Sequence, residues 1–277
     1  MDKKIKIAGV QMSCAGETEK NLSKAAMLVE IAAAEGASIV TLPQLFNSLW
    51  FMHSIDEANF ELAESEDGPS VTAMREAALR NRCNVIAPIF EVYEGSYYST
   101  AFVIGDDGEL VGKYRKLHIP KLALWEEQAY FKPGDLGLPV FKLAQATIGV
   151  LVCWDIFFPE AWRVLALKGA EVVFAPTASA YEHSRKKWER AIRSAAHANG
   201  IFAMRVNRSG KEEKQDFYGG SFCAGPDGDY VVKPSGSLDG VVVAETNLAD
   251  ISIVRGEWSF LDGRMVEAYK GILENKK

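Results

Sequence analysis

The chain has 277 residues, enough for one large domain or two small ones. Hydrophobic residues make up 48% and charged residues 25%, the balance of an ordinary soluble protein, and the formal net charge of −6 gives no electrostatic reason to expect nucleic acid or an anionic membrane as partner. No stretch approaches the roughly 18 unbroken apolar residues of a membrane span, and MDKKIKIAGVQM enters a strand pattern without the apolar segment of a secretory leader, so a cytoplasmic location is expected.

In chain order, KIKIAGVQM (4–12) alternates as a strand, and LSKAAMLVEIAAAEG (22–36) carries a helical apolar face at Leu22, Ala25, Ala26 and Val29, closed by Gly36. SIVTLP (38–43) is a strand. Ser70 is placed to cap a helix over 71–82. Strands follow at 84–93, 97–105 and 111–119, the second and third joined by the turn GDDGE. TIGVLVCW (147–154) reads as a buried strand, PEAWRVLALKG (159–169) as a helix ending at Gly169, EVVFAPT (171–177) as a strand, and 184–200 as a long helix. Strands at 201–209, 219–225, 230–235 and 240–248 complete the pattern. Strands and helices alternate with hairpins inserted, and no linker divides them. One α/β domain over 1–277 is expected, with two packed sheets between helical layers.

Cys14, Cys83, Cys153 and Cys223 form no C-x-x-C pair, and the four histidines lack metal-ligand spacing, so neither a disulfide framework nor a metal or cofactor is expected. Cys153 stands apart because it ends a buried strand just before Pro159 and a helix, and strand ends are where ligands gather in α/β sheets. A small buried core residue is the plainer reading. A nucleophilic thiolate needs a base and a positive environment. His118 and His197 are candidate bases for a Cys–His pair, although neither lies in a thiol-protease signature. Lys116 ends a cation-rich run with Lys113 and Arg115, which reads either as a solvated strand edge or as a cation able to hold a thiolate and polarise a carbonyl.

The blocks GKYRKLHIP, WEEQAYFKPGD, IGVLVCWDIFFPE and GAEVVFAPTA, in this order, resemble the carbon–nitrogen hydrolase (nitrilase) superfamily. KIAGVQM, FYGGSFCAGPDG and RGEWSFLDGR extend the likeness over essentially the whole chain. The details are closest to its N-carbamoylputrescine amidohydrolase and ω-amidase branches. The resemblance implies a four-layer α-β-β-α sandwich, a homo-oligomer, and hydrolysis of a non-peptide C–N bond through a cysteine thioester. It implies Cys153 as nucleophile, Lys116 and the Trp154 N–H as oxyanion hole, and Glu127 as the acid that orients lysine and substrate, with Glu126 as a surface acid. Tyr130, Phe131, Trp50 and Phe51 are each pocket lining or ordinary packing. The cations of YEHSRKKWERAIRSAAHANG read as a solvated helix face, with His183 or Arg185 at the pocket entrance as the alternative.

One position departs from the family. Where TLPQLF stands, the family carries its general-base glutamate, and this chain has Gln44. A carboxamide keeps the shape and the hydrogen bonds but cannot accept and return a proton. Three accounts follow: a replacement made in an otherwise intact enzyme to slow turnover, a natural variant in which Glu127 supplies the base, and a pseudoenzyme that binds amides or a partner without hydrolysing them. The substrate expected is a small linear amide or N-carbamoyl amine of the N-carbamoylputrescine kind, with ω-amides of dicarboxylic acids as the competing class.

Overall fold

The computed structural model describes residues 3–274. Its strands are β1 Lys4–Gln11, β2 Ile39–Thr41, β3 Asn84–Tyr93, β4 Ser96–Ile104, β5 Leu110–Arg115, β6 Val140–Lys142, β7 Thr147–Val150, β8 Val172–Thr177, β9 Phe202–Asn207, β10 Ser209–Lys211, β11 Asp216–Tyr218, β12 Phe222–Ala224, β13 Tyr230–Val232 and β14 Gly240–Asn247. Its helices are α1 Thr18–Ala34, α2 Pro69–Asn81, α3 Glu127–Tyr130, α4 Pro159–Leu167, α5 Arg185–Asn199 and α6 Ala249–Glu257.

Two six-stranded sheets form, in the orders β14-β1-β2-β3-β4-β5 and β13-β12-β9-β8-β7-β6. Each has a parallel centre, β1-β2-β3 or β7-β8-β9, flanked by antiparallel strands. The period of two sorts the first sheet's side chains onto two faces. Ala8, Val10, Val40, Val85 and Phe102 join the core under α1 and α2. Ile7, Ile39, Ile86 and Val103 join the core shared with the second sheet, α4 and α5. The expected four layers are present. At Gly9 the two sheets approach closely: a Cβ there would run into the Val206 side chain of β9.

The expected glycine stops at Gly36 and Gly169 lie at positive φ (91° and 93°) just past their helices, and Gly200 (54°) ends α5 in the same way. The expected cap does not. Gly68 precedes α2 and Pro69 opens it, while the Ser70 N–H and Oγ both donate, at 2.7 Å, to the Glu64 carboxylate. An acid from outside the helix thus takes the Ser70 N–H, one of the first-turn donors that have no partner within the helix. The strand expected over 147–154 also ends early, at Val150, and Cys153–Phe157 forms a 3₁₀ turn. The three-residue strands β6, β10 and β11, and helix α6, were not anticipated, being too short or too weakly periodic to stand out.

No helix among the described residues is long and apolar enough to cross a membrane. Among them, too, no group of three His, Cys, Asp or Glu side chains could hold a metal ion.

Candidate active site

Cys153 sits just past β7 with φ at +52°, in the left-handed region that a side chain with a Cβ seldom adopts. The acid two residues on explains how the turn is held. Asp155 is fully buried, and its carboxylate folds back to accept the Val152 N–H at 3.1 Å. It also accepts the Tyr114 hydroxyl at 2.7 Å and the His118 N–H and Nδ1 at 2.9 and 2.7 Å. One carboxylate thus ties the Cys153 turn to the end of β5, where Lys116 begins.

Lys116 and Glu127 are buried, their side chains fully so, and Lys116 Nζ lies directly against Glu127 Oε2. Burial alone would pull the Lys116 pKa down, but Glu127, Cys153 and Asp155 reverse this and hold it above its ordinary value. Burial pushes the Glu127 carboxyl up, opposed by Lys116 and more weakly by the Gln44 amide. A raised lysine favours the ion pair and a raised carboxyl favours the neutral one, and the direct Nζ–Oε2 contact couples the two titrations. Gln44 is fully buried, and its Nε2 donates to Ser99 Oγ at 3.4 Å. The Ser99 carbonyl in turn accepts the Lys116 N–H at 2.9 Å. The structure therefore brings Gln44, Lys116 and Glu127 together around β4.

The neighbouring cations are not a solvated edge. Arg115 is buried and donates to Glu91 at 2.7 and 3.1 Å and to Asp135 at 2.8 Å, while Lys113 reaches Glu91 at 2.7 Å. Gly134, between Pro133 and Asp135, lies so close that a Cβ would meet the Arg115 backbone, which accounts for the PGD sequence.

A cavity of ≈ 350 Å³ opens above Cys153, walled by Trp125, Trp154, Phe157, Tyr181 and Trp188. Neither His118 nor His197 lines it. His118 is held by Asp155 and stacks on Phe158, and His197 packs against Trp258 and Phe260. Tyr130 is also outside it: its hydroxyl donates to the Ser54 carbonyl at 2.8 Å and its ring packs on Phe51. Trp50, Phe51 and Phe131 belong to the same buried aromatic cluster, which backs Trp125. The helix reading of 184–200 holds, but not as a wholly solvated face, since His183, Lys187 and Trp188 all line the cavity.

Two groups of positioning residues have no signature in the sequence. Fully buried Arg208 donates to the carbonyls of Leu45 and Ser48, at 2.9 and 2.8 Å, and pairs with Glu212 at 2.6 Å. It clamps the loop that follows Gln44, where Leu45 adopts φ +54°. Asn207 bonds both the N–H and the carbonyl of Ser179, at 2.8 and 3.0 Å, and so fixes the loop beside Cys153.

Burial raises the Cys153 thiol to about 11; Lys116 and the Ala178 N–H pull it back, Glu127 and Asp155 push it up. Burial also lifts Cys14 and Cys83 to about 11 and Cys223 to about 12, so acidity does not single out Cys153. What does is the cavity, the left-handed backbone and Lys116. Because the thiolate is the reactive form, alkylation of Cys153 by a haloacetamide should rise about tenfold per pH unit from pH 7 to 9. A plateau in that range, read by intact mass over time, would show that Lys116 already outweighs burial.

The sequence profile of the family described as carbon-nitrogen hydrolase matches residues 6–255. An N-carbamoylputrescine amidase of Solanum lycopersicum is 35% identical, covering 97% of this chain and 95% of that protein. The crystal structure of a carbon-nitrogen hydrolase from Helicobacter pylori G27 superposes with a TM-score of 0.94 at 30% identity, over 98% of this chain and 99% of that one. A Glu-to-Gln mutant of the amidase from Nesterenkonia sp. AN1, described with the acetamide moiety of fluoroacetamide covalently added at its active-site cysteine, superposes with a TM-score of 0.82 at 25% identity, over 96% of each chain. With that match over most of its length and a sandwich that superposes on solved members, the chain belongs to the carbon-nitrogen hydrolase family.

Proposed function

We propose that the site hydrolyses the terminal C–N bond of a small N-carbamoyl amine or linear amide, with Cys153 as nucleophile. The observation that carries this is the buried Lys116–Glu127 pair beside a strained cysteine at the floor of an apolar cavity. In the first half-reaction the Cys153 sulfur bonds to the carbonyl carbon. The developing oxyanion is met by Lys116 and by the Trp154 N–H, at the start of a helical turn. The C–N bond breaks, ammonia leaves with the thiol proton, and an S-acyl or S-carbamoyl cysteine remains. Water then cleaves it, returns the thiol, and releases an acid or a carbamate that falls apart to amine and carbon dioxide. Glu127 Oε1 and Gln44 Oε1 are buried acceptors with no hydrogen-bond partner among the described residues, which suits them to the hydrogens of a terminal NH₂ group.

A thiol raised to about 11 needs a base, and Gln44 cannot be one. We therefore infer that this form is impaired in turnover while its cysteine stays nucleophilic. The adduct in the Glu-to-Gln amidase of Nesterenkonia supports that separation. The test is ammonia release from a panel of ureas and amides, with Cys153→Ala as control: release that survives the control would remove Cys153 from the mechanism. A non-catalytic binder is the second reading, favoured by Gln44 alone, and it predicts saturable binding of the panel with no ammonia from any form.

We further propose a cytoplasmic homo-oligomer. Trp258, Met265, Val266, Ile272 and Leu273 are all more than half exposed beyond α6, which is costly for a lone chain. Sedimentation of the chain shortened after Glu257 should shift toward the monomer; an unchanged profile would free that segment of any role in assembly.

A further inference from the structure

Lys187 gives the mouth of the cavity a positive charge. His183 lines it too, both are exposed, and no Asp or Glu among the described residues does. Lys187 has no ion-pair or hydrogen-bond partner among the described residues. The two nearby acids are engaged elsewhere: Glu182 and Glu189 lie 3.5 and 3.6 Å from Arg185, and Glu189 also accepts the Tyr230 hydroxyl at 2.9 Å.

A second cation stands behind the wall. Arg205, on β9, is fully buried, with its guanidinium 5.5 Å from the centre of the Trp188 ring that lines the cavity. It donates to the Gly220 carbonyl at 3.0 Å and to the Tyr218 hydroxyl at 2.9 Å, but among the described residues no carboxylate touches it and its Nε–H has no acceptor. Burial holds its pKa below the ordinary range, only partly opposed by Tyr218, Cys153 and the more distant Glu189. Helix α5 adds to the imbalance. Its first turn, Arg185-Lys186-Lys187, is basic and holds no acid, although the positive end of the helix dipole favours acids there. A fold that breaks a local rule at the rim of its own pocket does so most often for function.

Resting on the reading of Cys153 as the nucleophile of a C–N hydrolase, we propose that the cavity selects substrates whose far end is a carboxylate, N-carbamoyl amino acids or ω-amides of dicarboxylic acids, and disfavours those ending in an ammonium. The apolar plates leave the substrate's chain neutral contacts, so the distal charge is the feature the site can discriminate. A distal carboxylate is drawn to Lys187 and to the field of Arg205; a distal ammonium is desolvated among cations with no acid to receive it. This narrows the expected substrate away from the N-carbamoylputrescine kind.

The test uses the chain as it stands, whose Gln44 slows turnover enough for equilibrium binding by calorimetry. Three ureas of similar length differ only at the far end: N-carbamoyl-γ-aminobutyrate is anionic, N-carbamoylputrescine cationic and N-butylurea neutral. The expected result is binding in the order anionic, neutral, cationic, with the anionic and cationic ligands separated by about tenfold or more, and a ratio that inverts in Lys187→Glu. Lys187 is exposed, so that variant should fold, and Lys187→Gln should flatten the ratio without inverting it. If the cationic urea binds as well as or better than the anionic one, or if Lys187→Glu leaves the ratio unchanged, the distal preference is overturned while urea binding itself stands. If none of the three binds, including the neutral one, the reading of the reacting end falls and takes the preference with it.

Discussion

Replacing Gln44 by Glu should raise the rate of ammonia release about 10²–10⁴-fold, the usual contribution of a positioned general base. The site is ready for the change. Gln44 and Glu are nearly isosteric, the loop after residue 44 is clamped by Arg208, and Ser99 Oγ is already in reach of the side chain. A carboxylate there would take the proton of a thiol that burial holds at about 11, pass it to the leaving nitrogen and later draw one from water. Steady-state kinetics on both forms decides between the accounts of Gln44. A gain in kcat with little change in KM identifies residue 44 as the missing base. Equal activity in both forms moves the base to Glu127, and Glu127→Gln should then abolish it. No activity in either form, with ligand still bound, leaves a binding protein. A second carboxylate beside Glu127 also raises local repulsion, so Gln44→Glu should be somewhat less stable than the parent even as it becomes the better catalyst.

Lys116→Met should destabilise the fold by about 3–5 kcal/mol, because it strands a carboxylate that has no other cation in contact among the described residues. The pH dependence identifies the cause. Burial already raises Glu127 above its ordinary value, and removing Lys116 takes away the strongest opposing influence. In the variant the folded state keeps a proton on Glu127 that the unfolded chain has released. Stability from such a raised carboxyl is complete below the unfolded value of about 4.3 and is lost as pH rises toward the folded one, at up to about 1.4 kcal/mol per pH unit. Urea unfolding of parent and variant at pH 5 and pH 8 should therefore show a much larger deficit at pH 8. Equal deficits would mean that Lys116 contributes by packing alone. Adding Glu127→Gln to Lys116→Met should remove most of the pH dependence, since no buried charge then remains to be compensated. In the Gln44→Glu background, Lys116→Met should also reduce ammonia release beyond any effect on folding, by removing the oxyanion's cation.

What could be read from the sequence was local. Strand alternation and helical period placed the long elements, because a half-buried strand or an amphipathic helix repeats its pattern over many residues. Cys153 stood out because a cysteine at the end of an apolar run just before Pro159 has few structural reasons to be there. Gln44 could be flagged because a family pattern has a fixed residue type at that position. Tertiary structure decided everything that depends on distant segments meeting. Glu64 accepts the Ser70 N–H in the first turn of α2, since an external acid satisfies that donor as well as a cap does. Asp155 reaches back to hold the Cys153 turn against Tyr114 and His118, so that histidine is spent on structure instead of serving the sulfur. Tyr130 faces away from the cavity because its hydroxyl is needed by the loop at 54–59. Arg205 and Arg208 look alike in the run IFAMRVNRS, yet Arg208 clamps the loop after Gln44 while Arg205 lies behind Trp188 with no carboxylate in contact among the described residues. Arg205 lies within β9 and Arg208 just past its end, and only the folded sandwich determines what each of them meets.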